Sequence, residues 1–118
     1  MSDSIFSKVI NRELPSTIQY EDDEFIVIND IYPKAPVHVL IIPKKVYKTL
    51  EEVEMDDDAF YAKLLKLARQ MAKKLNIADN YKLFMNVGDK VQDVPHLHLH
   101  LMGGYKGGKG HFNFRENE

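Results

Sequence analysis

His96-Leu97-His98-Leu99-His100-Leu101-Met102 alternates imidazole with apolar side chains without a break. Successive side chains of a strand point to opposite faces, so this alternation predicts a strand over Pro95 to Met102. Leu97, Leu99 and Leu101 then face a core, and the three imidazoles line the other side, about 7 Å apart at each step. A lone histidine on a strand is ordinarily a solvated or hydrogen-bonded surface group. Three in register opposite a leucine face point instead to a functional surface.

Working outward, Tyr81 to Val87 reads as a strand that the loop Gly88 to Val94 joins to the histidine strand. Val37-His38-Val39-Leu40-Ile41-Ile42, closed by Pro43, is β-branched and continuous enough to be a buried strand, with His38 near its start. Ile18 to Glu21 and Phe25 to Ile28, separated by Asp22-Asp23-Glu24, predict a hairpin. Ser4 followed by Ile5, Phe6, Val9 and Ile10 predicts a short amphipathic helix ending at Asn11. Between Met55 and Asn76, Phe60, Leu64, Leu67, Ala68, Met71 and Leu75 form the apolar stripe of one long helix. Asp56 to Asp58 at its start and Lys73 and Lys74 at its end complement the helix dipole, and Asn76 suits a left-handed cap. The order of elements predicts an α+β domain with a mostly antiparallel sheet.

Composition narrows the functions available. At 118 residues the chain has room for one domain, and 44% hydrophobic with 29% charged residues suits a folded core. A net charge of -2 supplies no summed positive field for nucleic acid or anionic membranes. Zero cysteines exclude disulfides, thiolate zinc sites, iron-sulfur clusters and a cysteine nucleophile, and fit a reducing compartment. No leader-like or membrane-length apolar run is present, so a cytoplasmic location is expected. Five of the six glycines lie between Gly103 and Gly110, so residues 105–118 are expected to form a flexible Gly/Lys-rich tail behind a domain spanning 1–104. Across the start of that tail, Gly103 to Gly110 nearly spells a phosphate-binding loop, but Gly110 stands where the magnesium-binding hydroxyl belongs. His111, Phe112 and Phe114 carry no assigned role.

The histidine face admits two chemistries. Imidazoles ligate zinc, but His96 and His100 stand about 14 Å apart along an extended strand, too far to share one ion. His38 with His98 and His100 could complete such a site. Alternatively a neutral imidazole, with an unperturbed pKa of about 6.5, is a nucleophile toward phosphorus near pH 7. That route requires no metal or other cofactor.

The chain resembles the histidine triad family, and within it the Hint-like branch of nucleoside phosphoramidases. The resemblance rests on His96 to Met102, on Asp30-Ile31-Tyr32-Pro33-Lys34-Ala35-Pro36-Val37-His38, on Ile41-Ile42-Pro43-Lys44, and on Ile5-Phe6 and Glu21-Asp22-Asp23 upstream. It covers about Ser4 to Gly104. The resemblance implies the histidine-triad fold: a five-stranded sheet with one short and one long helix, paired into a homodimer. It implies purine nucleoside monophosphates and their phosphoramidates as ligands. His98 would attack the α-phosphate and become a nucleotidyl-histidine, which water then hydrolyses. His100 and His38 would bind and orient around the phosphate, while the backbone around His96 holds the other ring nitrogen of His98. Asn86 and Gly88 would contact the sugar and phosphate, and Asp30 the ribose hydroxyls. Ile5, Phe6, Val9, Leu14, Ile28 and Ile31 would enclose the purine, although an apolar stripe is more often core than pocket.

Departures from the family pattern fall in the loop before the triad. Where the family has a Gly-Gln-Ser type segment, this chain has Val91-Gln92-Asp93, one residue short overall. Gln92 keeps its place among the expected nucleotide-contacting residues. Val91 cannot take φ > 0 cheaply, so a backbone conformation that depends on glycine there must change. Asp93 stands where a small hydroxyl would meet the leaving group, and a carboxylate there either repels the phosphate or, protonated, acts as the acid. The leading expectation is a metal-independent phosphoramidase. A dinucleoside polyphosphate hydrolase, a nucleotide-binding or interaction module with weakened catalysis, and a histidine-ligated zinc protein are the alternatives.

Overall fold

The computed structural model describes residues 4–106. The expected tail, with His111, Phe112 and Phe114, lies outside the described residues but for Tyr105 and Lys106.

Helix α1 spans Ile5–Ile10, capped by the Ser4 hydroxyl, which accepts from the Ser7 N–H. Asn11 closes it as expected, and Arg12 takes the left-handed turn with φ 65°. Strands β1, Ile18–Glu21, and β2, Phe25–Asn29, form the predicted hairpin. Its turn is held by Asp22, whose carboxylate accepts from the N–H groups of Glu24 and Phe25. Strand β3 covers Val37–Pro43. Helix α2 runs Asp58–Lys74, with Asp57 accepting from the Phe60 N–H and Asn76 at φ 62° in the left-handed conformation its sequence suited. Strand β4 is Tyr81–Phe84 and β5 is Leu99–Gly103.

Two boundaries depart from the sequence reading. The histidine strand begins at Leu99 rather than Pro95, because His96 to His98 run along a path without ladder pairing. There the Leu97 N–H donates to the Tyr47 carbonyl and the His96 N–H to that of Val94. Strand β4 stops at Phe84, three residues short of Val87. A 3-10 turn, Leu50–Glu52, capped by Thr49, was not legible in the periodicity.

The sheet order is β1-β2-β3-β5-β4, and every adjacent pair is antiparallel. Strand β5 is thus inserted between β3 and β4, which puts His38 and His100 on adjacent interior strands of the sheet. The sheet has two differently used faces. Val27, Val39, Ile41, Leu99 and Leu101 pack on Leu64, Leu67, Ala68 and Met71 of α2. Each of these large side chains contributes about 1.5–3 kcal/mol through burial. On the opposite face Ile26, Ile28, Leu40 and Ile42 pack against Phe6 and Val9 of α1. His38 and His100 project from this second face by the alternation of β3 and β5, beside the small helix rather than under the large one. Among the described residues no helix is long and apolar enough to cross a membrane.

Candidate active site

The rings of His98 and His100 have centroids 5.0 Å apart, and those of His38 and His100 are 5.2 Å apart. The histidines do not, however, line one surface as equals. His96 is fully buried, and Leu97 turns into a separate cluster with Tyr47 and Val53 while Leu99 and Leu101 join the main core. The reason is the departure of residues 96–98 from the regular strand.

Hydrogen bonds define the proton positions on each ring. His98 Nδ1 lies 2.7 Å from the His96 carbonyl, which can only accept, so Nδ1 carries the proton and Nε2 carries the lone pair. His96 Nε2 lies 2.9 Å from the Pro43 carbonyl and is therefore the protonated nitrogen, leaving Nδ1 to accept from the Ser4 hydroxyl at 3.1 Å. The Lys34 amide N–H donates to His38 Nδ1 at 3.1 Å, so His38 holds its proton on Nε2. That N–H faces His100 Nδ1 at 3.0 Å and Asp30 Oδ2 at 3.4 Å. His100 in turn keeps its proton on Nε2 and stacks on Phe84, 4.5 Å between centroids and 3° between planes.

Burial disfavours the imidazolium form throughout. It pushes His100 down to about 4, helped by the neighbouring His98 and His38. Burial likewise lowers His98, against the opposing pull of the His96 carbonyl, Asp30 and Asp93. His38 and His96 are lowered by burial too, with Asp30 working against it at His38 and the Pro43 carbonyl at His96. The site therefore presents neutral imidazoles near pH 7.

Asp30 closes the β2–β3 connection: its Oδ1 accepts from the Tyr32 N–H at 2.8 Å and its own N–H donates to the His38 carbonyl. Among the described residues the side chains whose ligand atoms converge within 4.8 Å are Asp30, His38 and His100, not the set of His38, His98 and His100 weighed as the zinc alternative. A metal there would need the lone pair of His38 Nε2. The Lys34 amide opposes this, because it stabilises the tautomer with Nε2 protonated.

The other expected residues divide by position. Phe6, Val9 and Ile28 belong to the apolar cluster under α1, and Phe6 meets the His98 ring edge-on at 4.9 Å. Ile5, Leu14 and Ile31 are exposed, and Leu14 lines an open cleft of about 360 Å³ with Val9 and Arg12. Asn86 is exposed on the loop after β4. Gly88 takes φ 116°, so the left-handed backbone falls there and not on Val91. Gln92 pins this loop: its Oε1 accepts from the Gly88 N–H, and its Nε2 donates to the carbonyls of Lys48 and Val94. Asp93 is exposed, near enough to His98 to favour its protonation. Ser4, Lys34 and Phe84 were not among the expected site residues. Only Ser4 left a signal, as the start of α1; the other two act through a backbone amide and a cross-strand ring.

This arrangement accords with comparisons to known proteins. The HIT domain family model matches residues 11–107. A purine nucleoside phosphoramidase of Escherichia coli K12 is 40% identical over 104 residues, 86% of this chain and 87% of its own length. A HIT-like protein of Synechocystis is 48% identical over 103 residues, 86% of this chain and 90% of that one. Among solved structures, a HIT family hydrolase from Clostridium thermocellum superposes with a TM-score of 0.83 at 44% identity, covering 92% of this chain and 96% of the other. The chain belongs to the histidine triad, or HIT, family.

Proposed function

We propose that this protein hydrolyses purine nucleoside 5'-phosphoramidates, without a metal ion, through a nucleotidyl-histidine intermediate at His98. The observation that carries the reading is the 2.7 Å hydrogen bond from His98 Nδ1–H to the His96 carbonyl, which leaves Nε2 as a lone-pair nucleophile. The similarity to a bacterial purine nucleoside phosphoramidase supports the substrate class. Nε2 attacks the α-phosphorus and forms an N–P bond. The P–N bond to the amine breaks, its electron pair leaving on the amine nitrogen, which takes up a proton. Water then attacks phosphorus, the His98 N–P bond breaks, and nucleoside monophosphate departs.

His100 Nε2–H serves as a donor to a phosphoryl oxygen, held in that tautomer by His38 and in plane by Phe84. Asp30 binds the ribose hydroxyls, and Asn86, Gly88 and the loop held by Gln92 lie toward the sugar and phosphate. Phe6, Val9 and Ile28 back the purine, with Ile5, Leu14 and Ile31 at its margin. A homodimer is part of this reading, since β4 is a sheet edge that pairs with β5 alone among the described strands.

The test is hydrolysis of adenosine 5'-phosphoramidate by metal-stripped protein beside His98→Asn, with mass spectrometry of acid-quenched samples. Turnover with an AMP adduct that vanishes in the variant is expected. Equal inactivity of both, with AMP still bound, would favour a nucleotide-binding module, a reading to which the Asp93 carboxylate beside His98 gives some weight.

A further inference from the structure

The backbone carbonyl that holds the nucleophile belongs to a residue which is itself pinned at both ring nitrogens. His96 is fully buried, so its ring cannot touch a substrate. Its Nε2–H donates to the Pro43 carbonyl at the end of β3, and its Nδ1 faces Ser4 Oγ at 3.1 Å. With the proton on Nε2, Nδ1 is a lone pair, and the hydroxyl must be the donor. Ser4 is itself buried, 5% exposed. It accepts from the Ser7 N–H at 3.0 Å, and of the two acceptors within reach of its one proton, His96 Nδ1 at 3.1 Å is nearer than Ser7 Oγ at 3.3 Å.

Resting on the reading of His98 as nucleophile, we propose that Ser4 is a positioning residue for catalysis: its hydroxyl caps α1 and at the same time locks the His96 ring, whose carbonyl fixes His98 Nδ1–H. The lock is needed because residues 96–98 lie outside the ladder of β5 and have no regular pairing to orient their carbonyls. The same docking brings Phe6, two residues along α1, against the rings of both His96 and His98, at 6.0 and 4.9 Å. One hydroxyl therefore ties the position of the short helix to the rotamer and tautomer of the attacking ring, across 92 residues of sequence.

A plain helix cap would explain Ser4 structurally, and the choice of variants separates the two roles. Glycine caps nearly as well as serine but has no hydroxyl, whereas threonine keeps cap and donor. The measurement is the tautomeric state of each histidine by long-range ¹H–¹⁵N NMR in wild type, Ser4→Gly and Ser4→Thr, together with kcat and KM for adenosine 5'-phosphoramidate. Wild type and Ser4→Thr should show His96 as the Nε2–H tautomer and His98 as the Nδ1–H tautomer, with kcat within about twofold. In Ser4→Gly the His96 and His98 signals should move toward mixed tautomers and kcat should fall about tenfold, with KM changed by less than about twofold. Wild-type tautomers and kcat in Ser4→Gly, or failure of threonine to preserve them, would overturn the proposal. Far-UV circular dichroism checks that α1 and the sheet persist in each variant, and should one unfold, the proposal is decided by the wild-type His96 tautomer: an Nδ1–H form refutes it. If the wild type does not cleave the phosphoramidate, the nucleophile reading fails by itself, while the NMR still decides whether Ser4 locks His96.

Discussion

His38 Nε2 and His100 Nδ1 stand 3.0 Å apart on neighbouring strands, with a single proton between them. The ladder pairs His38 with Met102 and Leu40 with His100, so the two rings are diagonal neighbours on one face of the sheet. Because the Lys34 amide already occupies His38 Nδ1, the proton belongs to His38 and the accepting lone pair to His100. Protonating His100 at Nδ1 would set two N–H groups against each other, which agrees with its fall to about 4.

This electrostatic state predicts the acid side of the pH profile. A nucleophile whose pKa is lowered stays unprotonated as pH falls through its ordinary value of 6.5. The kcat/KM for a phosphoramidate should therefore hold its plateau through pH 6.5 and decline only at lower pH, where His98 and His100 take up protons. Profiles from pH 4 to 8 measure this directly, and an acid limb centred at or above 6.5 would contradict the burial argument.

Asp93 acts on the same profile with a definite sign. Its charge favours protonation of His98 and repels an incoming phosphate. Asp93→Ser should raise kcat/KM by about twofold to fivefold, the modest size reflecting exposure and salt screening, and should move the acid limb to lower pH. Lower turnover in Asp93→Ser would instead identify a protonated Asp93 as the acid to the leaving amine. No change in either quantity would discard both roles.

Gln92 contributes through loop order. Its side chain makes three hydrogen bonds, to the Gly88 N–H and to the carbonyls of Lys48 and Val94. Gln92→Ala should speed hydrogen exchange at the Gly88 amide and lower stability by about 1–3 kcal/mol, read from urea midpoints. An unchanged Gly88 exchange rate would show that the loop is held by something other than this side chain.

Gly103, the last residue of β5, lies against the residue that follows the α2 cap. A Cβ at this position would meet Ile77 Cδ1 at 2.7 Å and Ile77 Cβ at 2.8 Å. Gly103→Ala should therefore cost about 1–3 kcal/mol of stability, and the pairing of Gly103→Ala with Ile77→Ala should recover part of that loss. Additive destabilisation in the double variant would mean that the contact is not the cause.

The sequence by itself determined those parts of the molecule that depend on near neighbours. Ser4 to Asn11 and the stripe from Phe60 to Leu75 were legible as helices because their apolar spacing is a local property, and Asp22 to Glu24 and Asn76 because turn and cap chemistry is local too. Alternation placed His100 opposite Leu99 and Leu101, and the motifs around it pointed to the family. Only the tertiary structure decided that β5 enters between β3 and β4, that the strand begins at Leu99, and that His96 is a buried pin rather than a ring on the working surface. The physical reason is that each depends on partners far along the chain: Pro43 and Ser4 for His96, Lys34 for the tautomer of His38, and Phe84 for the plane of His100. Periodicity reports which face a side chain takes; the proton it carries is fixed by the groups that folding brings to it.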